Sequence, residues 1–429
     1  MQVCRTARNW GIRFALLALL GVSSLSAREA VLTSVYPSAA EIQRQTAIAR
    51  RRGAVVYYGL TPEQVQELTQ AAVAGALGPN SPKLSELAAR IALPKGVALT
   101  LLRIIGRAHV TPDQLPQKLT EMADHFWRAH EQLIGFHPER RTAGRLVERA
   151  RRTIAAGDFG KTHQLLAEAR QELIKAAGQS DALHRRSMLL SAAWLSAAEG
   201  DLAKTELQYL QAADLFKEAA NLTAGDSAPP LFSYLVAEAA ALYLQGREFG
   251  DKASLFAAIE LRKRLVEQGW VSHVDLGDAL AALGEHETGT ARLEEAVAQY
   301  RTALTGLTRP LETFLRARAQ VKLGIALVEL GVRGSGTVPL KDAVSAYREA
   351  LIVLTQDEVP LEWARTQYNL GIALELTSEH ESRTARLEEA VAAYRAALTE
   401  FDKERVPVEW AMTQNKLSAA LDRLGKQSR

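Results

Sequence analysis

The sequence holds a single cysteine, Cys4, near its first residue. A chain processed beyond that point would carry no disulfide, no thiolate metal site and no thiol nucleophile. No acidic residue occurs among the first 27, which carry Arg5, Arg8 and Arg13. Long apolar runs are also missing: the stretch from Phe14 to Val22 is nine residues, against the roughly 20 needed to cross a bilayer. Basic residues, this short apolar run and then Ser23, Ser24, Ser26 and Ala27 describe a secretory signal peptide over 1–27, with cleavage near Ala27. That reading implies a periplasmic or secreted protein. The alternatives are an uncleaved signal anchoring it to the inner membrane, or a misassigned start upstream of a cytoplasmic protein. Removing the segment takes the net charge from +3 to zero, which argues against a nucleic-acid partner.

Aromatics are scarce at 6%, while Ala, Leu, Glu and Arg, all strong helix formers, crowd the chain. With 47% hydrophobic and 24% charged residues the chain can bury a large core. An all-α fold is expected.

Its strongest feature is an internal repeat. The run Leu293-Glu-Glu-Ala-Val-Ala-Gln-Tyr-Arg-Thr-Ala-Leu304 recurs from Leu340 and again from Leu387, each time 47 residues on. Leu276-Gly, Leu323-Gly, Leu370-Gly and Leu417-Ser keep the same step. Both motifs carry apolar residues three or four apart, as in Leu387, Ala390, Val391, Tyr394 and Leu398, so each unit predicts a helical hairpin. One hairpin cannot cover its own apolar stripe, so neighbours must stack.

These units resemble tetratricopeptide repeats, on Leu370-Gly371 with Ala390 and Tyr394, and Leu323-Gly324 with Ala343 and Tyr347. The usual period is about 34. The surplus falls as about seven residues between the two helices and six between units, which predicts longer loops or longer helices. The family's tryptophan is displaced upstream, to Trp363 and Trp410, and its tyrosine is Leu280, Leu327 and Leu374. Shorter or looser units precede the regular ones, two of them marked by Gly157-Asp158 and Gly200-Asp201 as turns between helices. About six units are expected over 140–429, closed by a capping helix from Pro407.

The resemblance implies a right-handed superhelix, an α-solenoid of stacked hairpins whose concave groove binds segments of other proteins or peptides. By that analogy Arg318, Val321 and Ile325, then Arg365, Tyr368 and Ile372, then Asn415 line the groove, with the two arginines meeting acidic groups.

Ahead of the repeats, 28–59 lacks periodicity and reads as a flexible arm, with a helix around Ala39 to Arg52. Residues 60–136 read as a small helical domain. Thr61-Pro-Glu-Gln64 and Thr111-Pro-Asp-Gln114 have the form of capping boxes, with Leu60/Val65 and Val110/Leu115 as hydrophobic staples, and Ser81-Pro82 opens a further helix. The helix, turn, helix rhythm of Leu84 to Ile105 matches DNA readers, but two packed helices are the favoured reading, since the signal peptide and the neutral mature charge weigh against DNA.

Catalytic constellations are wanting. His125, His130 and His137 fall on one predicted helix, yet Ile134 stands where a zinc-protease motif needs its second ligand. No Gly-Lys-Ser or Gly-Lys-Thr follows Gly331, Gly334 and Gly336, and His286 and His380 fall in repeated inter-helix loops. No cofactor, metal or catalytic residue is therefore assigned. Arg141, Arg145, Arg149 and Arg152 recur along one helix edge. They form a solvated face or a contact for an anionic surface: acidic peptide, phospholipid or cell-wall polymer. The resulting expectation is a non-catalytic scaffold or adaptor of the bacterial cell envelope. The alternative gives residues 60–136 a regulatory or hydrolytic activity delivered by the repeats, which a buried polar cluster with shifted pKa values in that segment would favour.

Overall fold

The computed structural model describes residues 62–427 apart from short gaps at 79–80, 109, 139, 225–228, 270, 310–311, 335, 382–383 and 404–405. The signal peptide, the arm, the helix at Ala39 to Arg52, and Leu60 and Thr61 of the first staple and cap lie outside the described residues.

Seventeen α-helices and no strand occur among the described residues. The first four are α1 (Pro62–Val73), α2 (Pro82–Arg90), α3 (Lys95–Ile105) and α4 (Leu115–Gly135). Six hairpins follow. They are α5 (Arg141–Ala156) with α6 (Phe159–Ala177), α7 (Ala182–Thr205) with α8 (Tyr209–Leu222), and α9 (Pro229–Phe249) with α10 (Lys252–Glu267). Then come α11 (His273–Glu285) with α12 (Ala291–Gly306), α13 (Thr313–Gly334) with α14 (Thr337–Leu351), and α15 (Pro360–Glu381) with α16 (Thr384–Ala397), before the final α17 (Pro407–Gln427). Each helix packs chiefly on its neighbours in sequence, the contact pattern of an α-solenoid.

The surplus over a short repeat goes largely into helix length. α13 and α15 run to 22 residues each, so Gly331 and Gly334 are helical and only Gly336 caps α14. His380 likewise falls within α15, whereas His286 ends α11 ahead of a true loop at 287–290. Two expected helix ends differ. Gly157 does terminate α5, in the left-handed region at φ 81°, and the Asp158 side chain caps α6 through the Lys161 N–H. Gly200-Asp201 is instead buried inside α7, because Asp201 is paired with Lys204 at 2.6 Å and accepts from Gln132 at 2.9 Å. A buried carboxylate so satisfied need not seek a turn. At Thr111 the side chain makes no capping bond; Pro112–Gln114 winds as a 3-10 turn and α4 begins at Leu115. The apolar staple survives without the box, with Leu115 buried and Val110 packed against the same core.

One buried cluster runs from Val65 to Leu202, so α1–α4 share their core with the first hairpin and α7 rather than forming a separate one. The joint is a backbone crossing at two glycines. A Cβ on Gly157 would stand 2.6 Å from the Gly96 carbonyl oxygen, and the Thr100 hydroxyl donates to the Gly157 carbonyl at 2.9 Å. A second cluster runs from Leu255 to Ala420, and a smaller one spanning Ala193 to Ala241 begins within the sequence span of the first and ends before the second.

Candidate protein-binding surface

The repeat motif itself builds the face that the first helices of successive units present. Each Leu-Gly on a first helix lets the tyrosine of the second helix lie flat against bare backbone. A Cβ on Gly277, Gly324 or Gly371 would fall 2.7, 2.6 or 2.5 Å from the ring of Tyr300, Tyr347 or Tyr394. The ring then passes through the hairpin, and its hydroxyl meets the face beyond. Tyr300 donates to Asp278 at 2.9 Å and Tyr394 donates to Glu375 at 2.7 Å. Burial and the adjacent carboxylates push both phenols far up, so they remain donors. Tyr347 has no such acid opposite it, since Ile325 and Val328 stand where Asp278 and Glu375 stand in the neighbouring units.

The acids so held are half of a ladder that ties adjacent first helices. Lys322 reaches back to Asp278, Lys416 to Glu375 at 3.4 Å, and Arg423 to Glu375 and Glu379 at 3.1 and 2.6 Å. Arg318 pairs with Glu362 and Arg365 with Glu409 at 2.7 Å, each 44 residues along. A sister ladder joins the second helices, Arg301 to Asp342 and Arg348 to Glu389. Partly exposed pairs of this kind are each worth about 0–1 kcal/mol. Their main effect is to set the register of neighbours and to neutralise the face.

The expected groove residues therefore divide. Arg318 and Arg365 are already matched by acids of the next unit, and Arg318 also lies over the Phe314 ring at 5.0 Å. Val321 and Tyr368 are half-buried, Tyr368 with its ring 5.9 Å from that of Tyr394, and they form wall rather than contact surface. Ile325 is 48% exposed and Asn415 is exposed, whereas Ile372, one period on from Ile325, is partly buried against the second core cluster, as Val321 and Tyr368 are. Sequence reasoning missed Lys322, Glu362, Glu375, Glu379, Glu409, Lys416 and Arg423. The 44-residue offset between opposite charges, three short of the period, is the signal that could have found some of these pairs. Arg141, Arg145, Arg149 and Arg152 all lie on the exposed side of α5.

Buried polar chemistry is concentrated earlier. His163 sits between Glu199 at 3.2 Å and Glu206 at 2.6 Å, and Arg170 joins Glu199 to Glu218. Burial opposes charge on His163, yet the two carboxylates outweigh it and raise the imidazole to about 9. His125 on α4 goes the other way, held neutral by burial and then by Lys204, and lowered to about 3. Burial also lowers His130, which stacks on Phe126. His137 lies beyond the end of α4 rather than on it. The Nδ1 atoms of His125 and His130 are buried without a hydrogen-bond partner among the described residues. Among the described residues no group of three or more His, Cys, Asp or Glu is placed to hold a metal ion. A cleft of about 400 Å³ between α4, the α7–α8 turn and the end of α9 is lined by Gln114, Lys118, Glu121, Leu207, Arg247 and Phe249. There Lys118 is spent on Glu121 and Glu248 at 3.0 and 2.6 Å.

Compared with known proteins, the chain is matched by no family model and by no curated protein.

Proposed function

We propose that this chain is a non-catalytic scaffold that binds segments of other proteins across the face of its first helices, as its resemblance to tetratricopeptide repeats implies. The observation that carries the reading is Ile325, an apolar side chain 48% exposed on the first helix of its unit, with the partly buried Ile372 at the same register position of the next unit. Every arginine or lysine named beside them is already paired with a carboxylate of a neighbouring unit. Such a face offers area for apolar anchors spaced along a helix or strand and little net field for a polyanion. The signal-like residues 1–27 support a place in the cell envelope.

Selection of peptides from a displayed random library on the full chain, followed by calorimetric titration, tests this reading. Selected peptides should carry apolar anchors. Their affinity should fall at least about tenfold, or ~1.4 kcal/mol, in an Ile325→Glu, Ile372→Glu variant. An Ile352→Glu variant, altered at a 77% exposed isoleucine just past the end of α14, should bind as the parent does. Peptides bound equally by all three proteins would discard the face.

A further inference from the structure

We infer that the outer edge of α5 is a contact surface for an anionic lipid bilayer. α5 buries Ala143, Val147, Ala150 and Ile154, and at 100° per residue Arg141, Arg145, Arg149 and Arg152 project on the opposite side. They span about 16 Å of helix. Arg140, one residue earlier, is exposed as well. The helix carries one carboxylate, Glu148, and that is engaged by Arg151 at 2.8 Å. Arg151 is not part of the edge: it turns aside to donate to the carbonyls of Leu133, Ile134 and Phe136 and so closes the end of α4. Arg141, Arg145 and Arg149 meet no carboxylate among the described residues, and Arg152 only approaches Glu148 at 3.9 Å. The contrast with Arg318, Arg348 and Arg365, each held by an acid one unit away, separates a free basic edge from structural pairing.

The shape and chemistry of this edge select the partner. It is the crest of one helix, opposite the buried stripe, and Thr142 is the other side chain among the arginines at its start. A peptide held there would have to offset its ordering cost without an apolar pocket. Fluid phosphate headgroups need no ordering and adjust their spacing to the guanidinium forks. Besides Glu148, which leaves the edge a net positive charge, Glu168 and Glu172 of the same hairpin line a groove together with Leu146.

The test is partitioning of the full chain onto large vesicles of phosphatidylcholine alone and of phosphatidylcholine with 30% phosphatidylglycerol, at low and at physiological salt. The ratio of anionic to neutral binding isolates the arginines from any affinity of the apolar N-terminal residues, which are common to both lipids. The parent should favour the anionic vesicles, and an Arg141→Gln, Arg145→Gln, Arg149→Gln, Arg152→Gln variant should lose that preference, about fivefold for each arginine at low salt. A charge-matched variant, Arg264→Gln, Arg309→Gln, Arg316→Gln, Arg395→Gln, should keep it. Equal loss in both variants would reduce the effect to bulk charge and overturn the assignment. So would an unchanged ratio in the first variant, or binding of soluble poly-glutamate through α5 without any vesicle preference, which would give the edge to an acidic polypeptide. Neither result bears on peptide binding at Ile325 and Ile372.

Discussion

At Gly371 an alanine Cβ would lie 2.5 Å from Tyr394 Cε1, a ring that is fully buried and fixed by its bond to Glu375. Helix propensity alone favours alanine there by up to about 1 kcal/mol. Overpacking a fixed core costs about 1–3 kcal/mol, so Gly371→Ala should lower stability by ~1–2 kcal/mol in urea unfolding despite the better helix former. The equivalent position in α17 is the exposed Ser418; Ser418→Ala should change stability by less than about 0.5 kcal/mol. A large loss there would mean that the face of α17 is covered. His163 makes the second residue-scale prediction. Its folded-state value of about 9 stands above the ordinary 6.5, so the stabilisation it brings is complete below about pH 6.5 and is lost as pH rises through 9. Denaturation midpoints should fall between those values in the parent, and that slope should flatten in His163→Gln. A parent midpoint independent of pH over this window would show that the imidazole is not charged between Glu199 and Glu206.

At the scale of elements, the ion ladder is a statement about which helix follows which. Arg365→Glu and Glu409→Arg should each destabilise modestly, and the exchange of both should restore most of the loss, with a coupling of about 0.3–1 kcal/mol in a double-mutant cycle. Additive losses would show the 2.7 Å pair between α15 and α17 to be energetically idle. The hairpins themselves are legible in the sequence because Leu-Gly and Ala-x-x-x-Tyr return every 47 residues, and a shared period ties each helix to its partner. The helix expected from Pro407 is α17, whose Leu421 is 39% exposed where Leu374, one period earlier, is 1%. What stayed hidden depends on partners far away in sequence. Gly200-Asp201 resembles a turn until Gln132, 69 residues back, is seen to satisfy the aspartate inside α7. Arg318 and Arg365 looked like free groove cations because their acids belong to the next unit. Arg151, one position from the exposed Arg152, closes the end of α4, and periodicity cannot separate the two.

Across the described residues the two large clusters, Val65 to Leu202 and Leu255 to Ala420, share no residue, and a small cluster from Ala193 to Ala241 starts within the first and ends before the second. Contacts between neighbouring helices dominate both, so a local defect should be felt within its block and fade beyond it. Hydrogen exchange read by mass spectrometry reports this directly. In Gly371→Ala, amides of α13 to α16 should exchange about five- to thirtyfold faster, matching the loss of ~1–2 kcal/mol, while α3 to α6 keep the parent rates. Gly157→Ala, strained at φ 81° and crowding the Gly96 carbonyl, should produce the mirror pattern, loosening α3 and α5 and sparing α13 to α16. If either substitution accelerates exchange equally in both blocks, the helices unfold as one cooperative unit. The small central cluster of Ala193 to Ala241 then transmits stability between the ends, and a ligand on the face of α13 and α15 would stabilise α5 as much as its own site.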